Sequence, residues 1–199
     1  MKPEDSLRLL ILATTNPGKV GEVRLALSDL TDWSVKSLPA GLPEIEETGA
    51  TFLENATLKA THYSKLVQGL ALADDSGLCV RALDNRPGVR TTRYGPTPEA
   101  RNSRVLSELA ALGGSPNRDA AFECAFVLAR DGNAVWCREA SLLGMITDHP
   151  QGEFGFGFDP IFFVPELGKT LAQMTPEEKN RISARGKLLI ELRRYLESL

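Results

Sequence analysis

The chain is short of cysteine, of long apolar runs and of surplus charge, and each shortage removes a class of protein. Its 199 residues carry three cysteines, Cys79, Cys124 and Cys137, with no CxxC spacing. Each lies in an apolar or strand-like stretch. The expectation is therefore reduced core thiols, and neither a disulfide scaffold nor a thiolate metal site. The apolar run from Leu9 to Ala13 is too short to span a membrane. It also lacks the layout of a signal peptide, a charged leader and then a long apolar region. No membrane partner is expected, and the cytoplasm is the expected location. A net charge of -3 argues against a nucleic-acid partner, which usually calls for a basic face. It leaves room for nucleotides, because a local cluster of Lys and Arg can hold a triphosphate inside an acidic protein. There is no internal repeat and no low-complexity segment.

What remains is ordinary for a globular protein: 42% hydrophobic and 25% charged residues. That length suits a single domain over residues 1–199 and can bury a core unaided. Leu9 to Ala13 has the character of a buried strand. It stops at the turn formers Thr14-Thr15-Asn16-Pro17-Gly18. Val20, Val23, Leu27 and Leu30 then recur at helical spacing. Thr51-Phe52-Leu53-Glu54 has the spacing of a capping box and predicts a helix to Gln68. Ala71-Leu72-Ala73 predicts a short strand that delivers Asp74, Asp75, Ser76 and Gly77 to a tip, with another strand from Leu78 to Leu83. Pro98 to Leu112 reads as a helix, with Gly113-Gly114 after its end.

Asp131-Gly132-Asn133, between Ala121–Ala129 and Ala134–Ser141, predicts a β-hairpin. Leu143 to Thr147 and Ile161 to Val164 are further strand candidates. Gly152 to Pro160 is too rich in glycine for a regular element. Leu188, Leu189, Leu192, Leu196 and Leu199 make one face of a helix from Ser183 onward. The sum is a mixed α/β protein with helices covering a sheet.

Four clusters carry chemistry. Thr14-Thr15-Asn16-Pro17-Gly18-Lys19 opens a helix, whose unpaired N–H groups favour anions. It lacks the Gly-Lys-Ser/Thr of a P-loop, and an ordinary N-cap by Asn16 explains it equally well. Glu44, Glu46, Glu47, Glu54, Asp74 and Asp75 supply carboxylates. Two adjacent Asp at a strand end repel each other and invite a cation, and such hard oxygens suit magnesium. Solvated turn residues are the plain alternative. Gly152 to Pro160 alternates Phe with Gly, an arrangement able to stack on a base or to plug the core. Lys179 and Arg185 follow. Arginine is a donor only, so it accepts a 6-oxopurine and rejects the amino group of adenine.

In this order the clusters closely resemble the inosine triphosphate pyrophosphatase family, the dITP/XTP pyrophosphatases. The matching stretches are Ala13 to Glu22, Glu46 to Ala56, Ala73 to Leu78, Pro87-Gly88-Val89, Gly155 to Phe162, Glu178-Lys179-Asn180 and Ser183 to Gly186. The resemblance implies an α/β fold with two lobes, a long mixed β-sheet flanked by helices, and the nucleotide in a central cleft. It implies a homodimer that hydrolyses ITP, dITP and XTP to the monophosphate and pyrophosphate with Mg2+. Thr14, Thr15, Asn16, Pro17, Gly18 and Lys19 would contact the triphosphate. Glu46 and Asp75 would bind magnesium, with Asp75 also the proton acceptor for water. Ser76 would touch the substrate. Phe156, Gly157, Phe158 and Asp159 would frame the base, and Lys179, Ala184 and Arg185 would line the nucleotide. Asp74 and Glu54 are added as auxiliary metal carboxylates.

The chain departs from the family at Ala184, where His is usual. A methyl group offers no hydrogen bond, a loss of about 0.5–1.5 kcal/mol toward the base. Phe158, where some relatives carry Tyr or Trp, keeps the stacking face and loses a polar handle. Two other readings stay open: a pyrophosphatase for dTTP and UTP, and a nucleotide sensor without turnover.

Overall fold

The computed structural model describes residues 8–199; the first seven, included in the single-domain reading, lie outside the described residues. The chain forms two compact units. The first takes the chain up to Asp75, with Cys124–Ala140 and Arg185–Leu199. The second takes Ser76–Glu123 and Ser141–Ala184.

In the first unit, β1 (Arg8–Leu12) pairs in parallel with β2 (Trp33–Ser37) on one side and with β3 (Leu70–Val80) on the other. Parallel neighbours need crossover connections. Helix α1 (Pro17–Ala26) supplies the one between β1 and β2, and α2 (Phe52–Ser64) the one before β3. The next strands are β5 (Asp119–Arg130) and β6 (Asn133–Ile146), giving the order β2-β1-β3-β5-β6. Helix α5 (Ala184–Ser198) buries Leu188, Leu189, Leu192 and Leu196, the face read from its spacing. Both faces of these strands are covered, which is why the consecutive residues Leu10, Ile11 and Leu12, and Leu70, Ala71 and Leu72, are all buried.

In the second unit, the end of β3 pairs antiparallel with β4 (Arg86–Pro87). The end of β6 pairs antiparallel with β7 (Phe162–Val164), which pairs with β8 (Lys169–Thr170). The sheet is thus mixed. Helix α3 (Pro98–Ala111) is capped by Thr97 and buries Asn102, Val105 and Leu109. Helix α4 (Pro176–Ile182) starts at a capping box of Thr175 and Glu178.

Local chemistry explains most of the boundaries. Asn16 caps α1, accepting from Gly18 N–H at 2.9 Å and Lys19 N–H at 3.2 Å, and Pro17 takes the first helical position. Thr51 and Glu54 form the reciprocal capping box that the spacing predicts. Asp131 and Gly132 turn the β5–β6 hairpin with φ of 51° and 81°, the left-handed pair such a turn demands.

Several expectations change. Helix α2 ends at Ser64, short of the Gln68 read from the sequence. Asp74 to Gly77 form no tip, because β3 runs unbroken through them. The strand placed at Leu78–Leu83 is its continuation to Val80, followed by a short 3-10 turn. Leu143 to Ile146 belongs to β6. Cys79 and Cys124 are buried as expected, whereas Cys137 is exposed on β6. Among the described residues no helix is long and apolar enough to cross a membrane.

Candidate active site

Two neighbouring aspartates on β3 organise the first unit. Successive side chains of a strand point to opposite faces, so Asp74 and Asp75 meet different partners. Asp74 is 4% exposed. Its Oδ1 accepts from Lys19 Nζ at 2.6 Å, and its Oδ2 accepts from Arg185 Nε. Arg185 Nη1 donates at 2.6 Å to Glu22 Oε2 on α1. Burial alone would raise the Asp74 pKa, but Arg185 and Lys19 outweigh it and hold the carboxyl well below the usual range. Arg185 is raised in turn, because Asp74 and Glu22 outweigh its own burial. Cys124 Sγ lies 3.8 Å from Asp74 Oδ2, and burial, with Asp74 beside it, pushes the thiol up. This is an inert thiol.

Asp75, 7% exposed, has a thinner set of partners. Its Oδ1 is 3.5 Å from Lys59 Nζ, and its buried Oδ2 has no hydrogen-bond partner. Lys59, on α2, also reaches the Asp74 carbonyl oxygen at 2.9 Å and Glu47 Oε1 at 2.7 Å. Burial raises the Asp75 pKa more than Lys59, Lys19 and a hydrogen bond from Asn55 lower it, and Glu47 adds to the rise. A buried carboxylate oxygen with nothing to hold it is the mark of a missing positive partner. The chemistry around it, carboxylate and carbonyl oxygens, fits a hard cation. Among the described residues no three His, Cys, Asp or Glu side chains are gathered for a metal. Magnesium usually keeps waters and substrate phosphates beside one or two carboxylates, so the residues present fit that ion.

The expected residues fare differently. Lys19 joins Asp74 in the first unit, as does Arg185, whose guanidinium is committed to Asp74 and Glu22. Thr14 Oγ1 accepts from Asn16 N–H at 3.2 Å, and Thr15 is exposed. Asn16 Oδ1 already occupies two N–H groups of the helix start, so the cap reading holds there. Glu46 is exposed, while its neighbour Glu47 is the one tied to Lys59. Glu54 accepts from Ala50 and Thr51 N–H as part of the cap, which removes it as an auxiliary metal carboxylate. Asp74, bound by two cations, is likewise a structural anchor.

Sequence reasoning missed Glu22, Glu47 as a partner of Lys59, and Lys59 itself. A signal existed for Lys59. It lies four residues after buried Asn55 on the face of α2 that also buries Phe52 and Ala56. A lysine on that face needs a buried partner. Glu22 sits beside buried Val23 and three residues after Lys19, the same kind of signal.

In the second unit, Asp159 is the centre. Its Oδ2 accepts from Phe156 N–H at 2.7 Å and from Lys179 Nζ at 2.6 Å. The Lys179 ammonium also lies 4.4 Å from the centroid of the Phe156 ring. Gly155 makes this loop possible: at its φ of +75° an added Cβ would come within 2.1 Å of Asp159 Oδ2. Phe156 is half-buried, whereas Phe158, 2% exposed, is core. Phe158 therefore plugs the fold and offers no free ring face. Gly157 takes φ of +66°. Ser76 is half-buried, and Ala184 is 4% exposed at the start of α5.

Comparison with known proteins shows what the chain is similar to. A dITP/XTP pyrophosphatase of Nostoc is 46% identical over 186 residues, covering 93% of this chain and 92% of its own. That of Thermus thermophilus is 47% identical over 183 residues, covering 90% and 87%. Among solved structures, a HAM1 protein from Coxiella burnetii superposes with a TM-score of 0.87 at 38% identity, covering 97% of this chain and all of that one. The Staphylococcus aureus Ham1 protein gives 0.82 at 35% identity, covering 96% and 99%. A family model described as the Ham1 family matches residues 10–195, and the chain belongs to that family.

Proposed function

We propose that this protein hydrolyses damaged purine nucleoside triphosphates such as ITP, dITP and XTP to the monophosphate and pyrophosphate, using magnesium. Similarity to enzymes named dITP/XTP pyrophosphatase over nearly the whole chain supports the reaction. The observation that carries the chemistry is Asp75, a buried carboxylate with one oxygen unpartnered.

Asp75 would hold magnesium together with Glu46, the exposed carboxylate of the Glu46–Glu47 pair. When bound, the ion would draw charge from the phosphate oxygens and bring water close to them. Asp75 takes the proton from water as it attacks the α-phosphorus. Lys19 and Lys59 supply fixed positive charge for the phosphates. Thr14, Thr15 and Ser76 supply hydrogen bonds, and Pro17 and Gly18 let the backbone approach. Asn16 shapes that turn from its capping position.

Phe156, with the Lys179 ammonium against its ring, is assigned to the base. Gly157, Phe158 and Asp159 hold that loop, and Asp159 fixes Lys179. Arg185 acts by anchoring Asp74. The absence of a side-chain donor at Ala184 leaves selection among 6-oxopurines to the remaining groups. The working form is proposed to be a cytoplasmic homodimer.

The test is pyrophosphate release from ITP, XTP, GTP, ATP and dTTP, with magnesium and with EDTA. Preference for ITP and XTP that vanishes in EDTA is the expected result. Equal turnover of all five, or turnover that survives EDTA, would overturn the proposal.

A further inference from the structure

Lys59 stands where a cation is wanted. Its ammonium is 2.7 Å from Glu47 Oε1, 2.9 Å from the Asp74 carbonyl oxygen and 3.5 Å from Asp75 Oδ1. Two carboxylates and a carbonyl converging on one point are the ligands a divalent cation prefers. The lysine side chain is 12% exposed, so water does little to screen it. One ammonium is an incomplete filling. It has three hydrogens to give and a single charge. Glu47 and the Asp74 carbonyl take the two short contacts, Asp75 gets the long one, and Asp75 Oδ2 gets nothing.

Other groups around Asp75 cannot substitute for it. Lys19, from α1, gives its short contact to Asp74. Asn55, one turn before Lys59 on α2, carries no charge, and its Oδ1 accepts from Gly49 N–H at 2.8 Å.

We infer that Lys59 is a built-in counter-ion that shares Asp75 with the divalent cation, stabilising the metal-free protein and weakening its affinity for metal. The inference rests on the metal reading above. When metal is absent, Lys59 keeps Glu47 and Asp75 from repelling each other. When metal binds at Asp75, the ammonium withdraws toward Glu47, and the ion must overcome that lost contact and the nearby like charge. The consequence is a site that releases metal readily and binds it firmly only when substrate phosphates add their own charge.

The experiment titrates Mn2+ into the protein without nucleotide, by EPR, and measures thermal unfolding in EDTA. Wild type, Lys59→Met, Lys59→Gln and Asp75→Asn are compared. Lys59→Gln keeps a hydrogen-bonding tip and serves should Lys59→Met fail to fold. Removing the charge is expected to tighten Mn2+ binding by about tenfold. It should also lower the melting temperature in EDTA and enlarge the rise that Mn2+ produces. Binding by the uncharged variants that is equal to wild type, or weaker, would overturn the inference and make Lys59 a scaffold for the ligands. Equal Mn2+ binding by wild type and Asp75→Asn would instead remove the metal from Asp75, and the inference with it.

Discussion

At the scale of the residue, Asp74 and Asp75 are chemically identical and electrostatically opposite. Asp74 is held ionised by Arg185 and Lys19, so its pKa lies below the unfolded value. A depressed carboxylate stabilises the fold above the unfolded pKa of about 3.9 and loses that contribution as pH falls below it. Asp75 is raised, chiefly by burial. Its contribution is present when it is protonated, below the unfolded pKa, and is lost as pH rises through the folded value. At pH 7 it therefore costs stability in the absence of metal. Asp74→Asn should lower unfolding free energy at pH 7 by about 3 kcal/mol in urea titrations, because it takes the carboxylate from Lys19 and from buried Arg185, which keeps Glu22. Asp75→Asn should raise the melting temperature in EDTA at pH 7 while abolishing pyrophosphate release. Destabilisation by both variants would refute the contrast.

At the scale of the element, the elements at the site are held by their ends and turns. Glu54 accepts from the N–H groups of Ala50 and Thr51, just beyond Glu47 and its contact with Lys59. Thr51→Ala should cost about 1 kcal/mol, as N-cap losses do. Differential scanning calorimetry would read it. The loop at Gly155 is more exacting. Gly155→Ala adds a Cβ onto Asp159 and a strained positive φ. It should raise KM for ITP more than it lowers kcat, if the loop serves the base and the phosphate chemistry is left intact. A selective loss of kcat would contradict that assignment.

At the scale of the whole molecule, the charged network closes late in the chain. Glu22 and Arg185 are 163 residues apart, and Asp74 and Arg185 are 111 apart. A chain ending at Ser183 would leave Asp74 and Glu22 without Arg185 and remove the apolar face of α5. It should show no cooperative unfolding transition by circular dichroism. Those separations also explain what the sequence concealed. The α2 cap, the Asp131-Gly132 turn and the leucine face of α5 obey local rules and were legible. β2, with Ser34, Lys36 and Ser37 in five residues, has no run long enough to be read. The Asp74–Asp75 segment looked like a solvated tip because its counter-charges, Lys19, Lys59 and Arg185, arrive from distant positions. Motif resemblance singled out Asp75, but only three-dimensional contact reveals which carboxylates are already taken. The alternation along β3 has an evolutionary corollary. A single codon inserted between Leu70 and Asp74 would exchange the two aspartates between faces, handing the anchor's cations to the acid and the acid's vacancy to the anchor. Lineages can therefore lengthen exposed turns freely, whereas this stretch of the gene should resist every insertion or deletion of one residue.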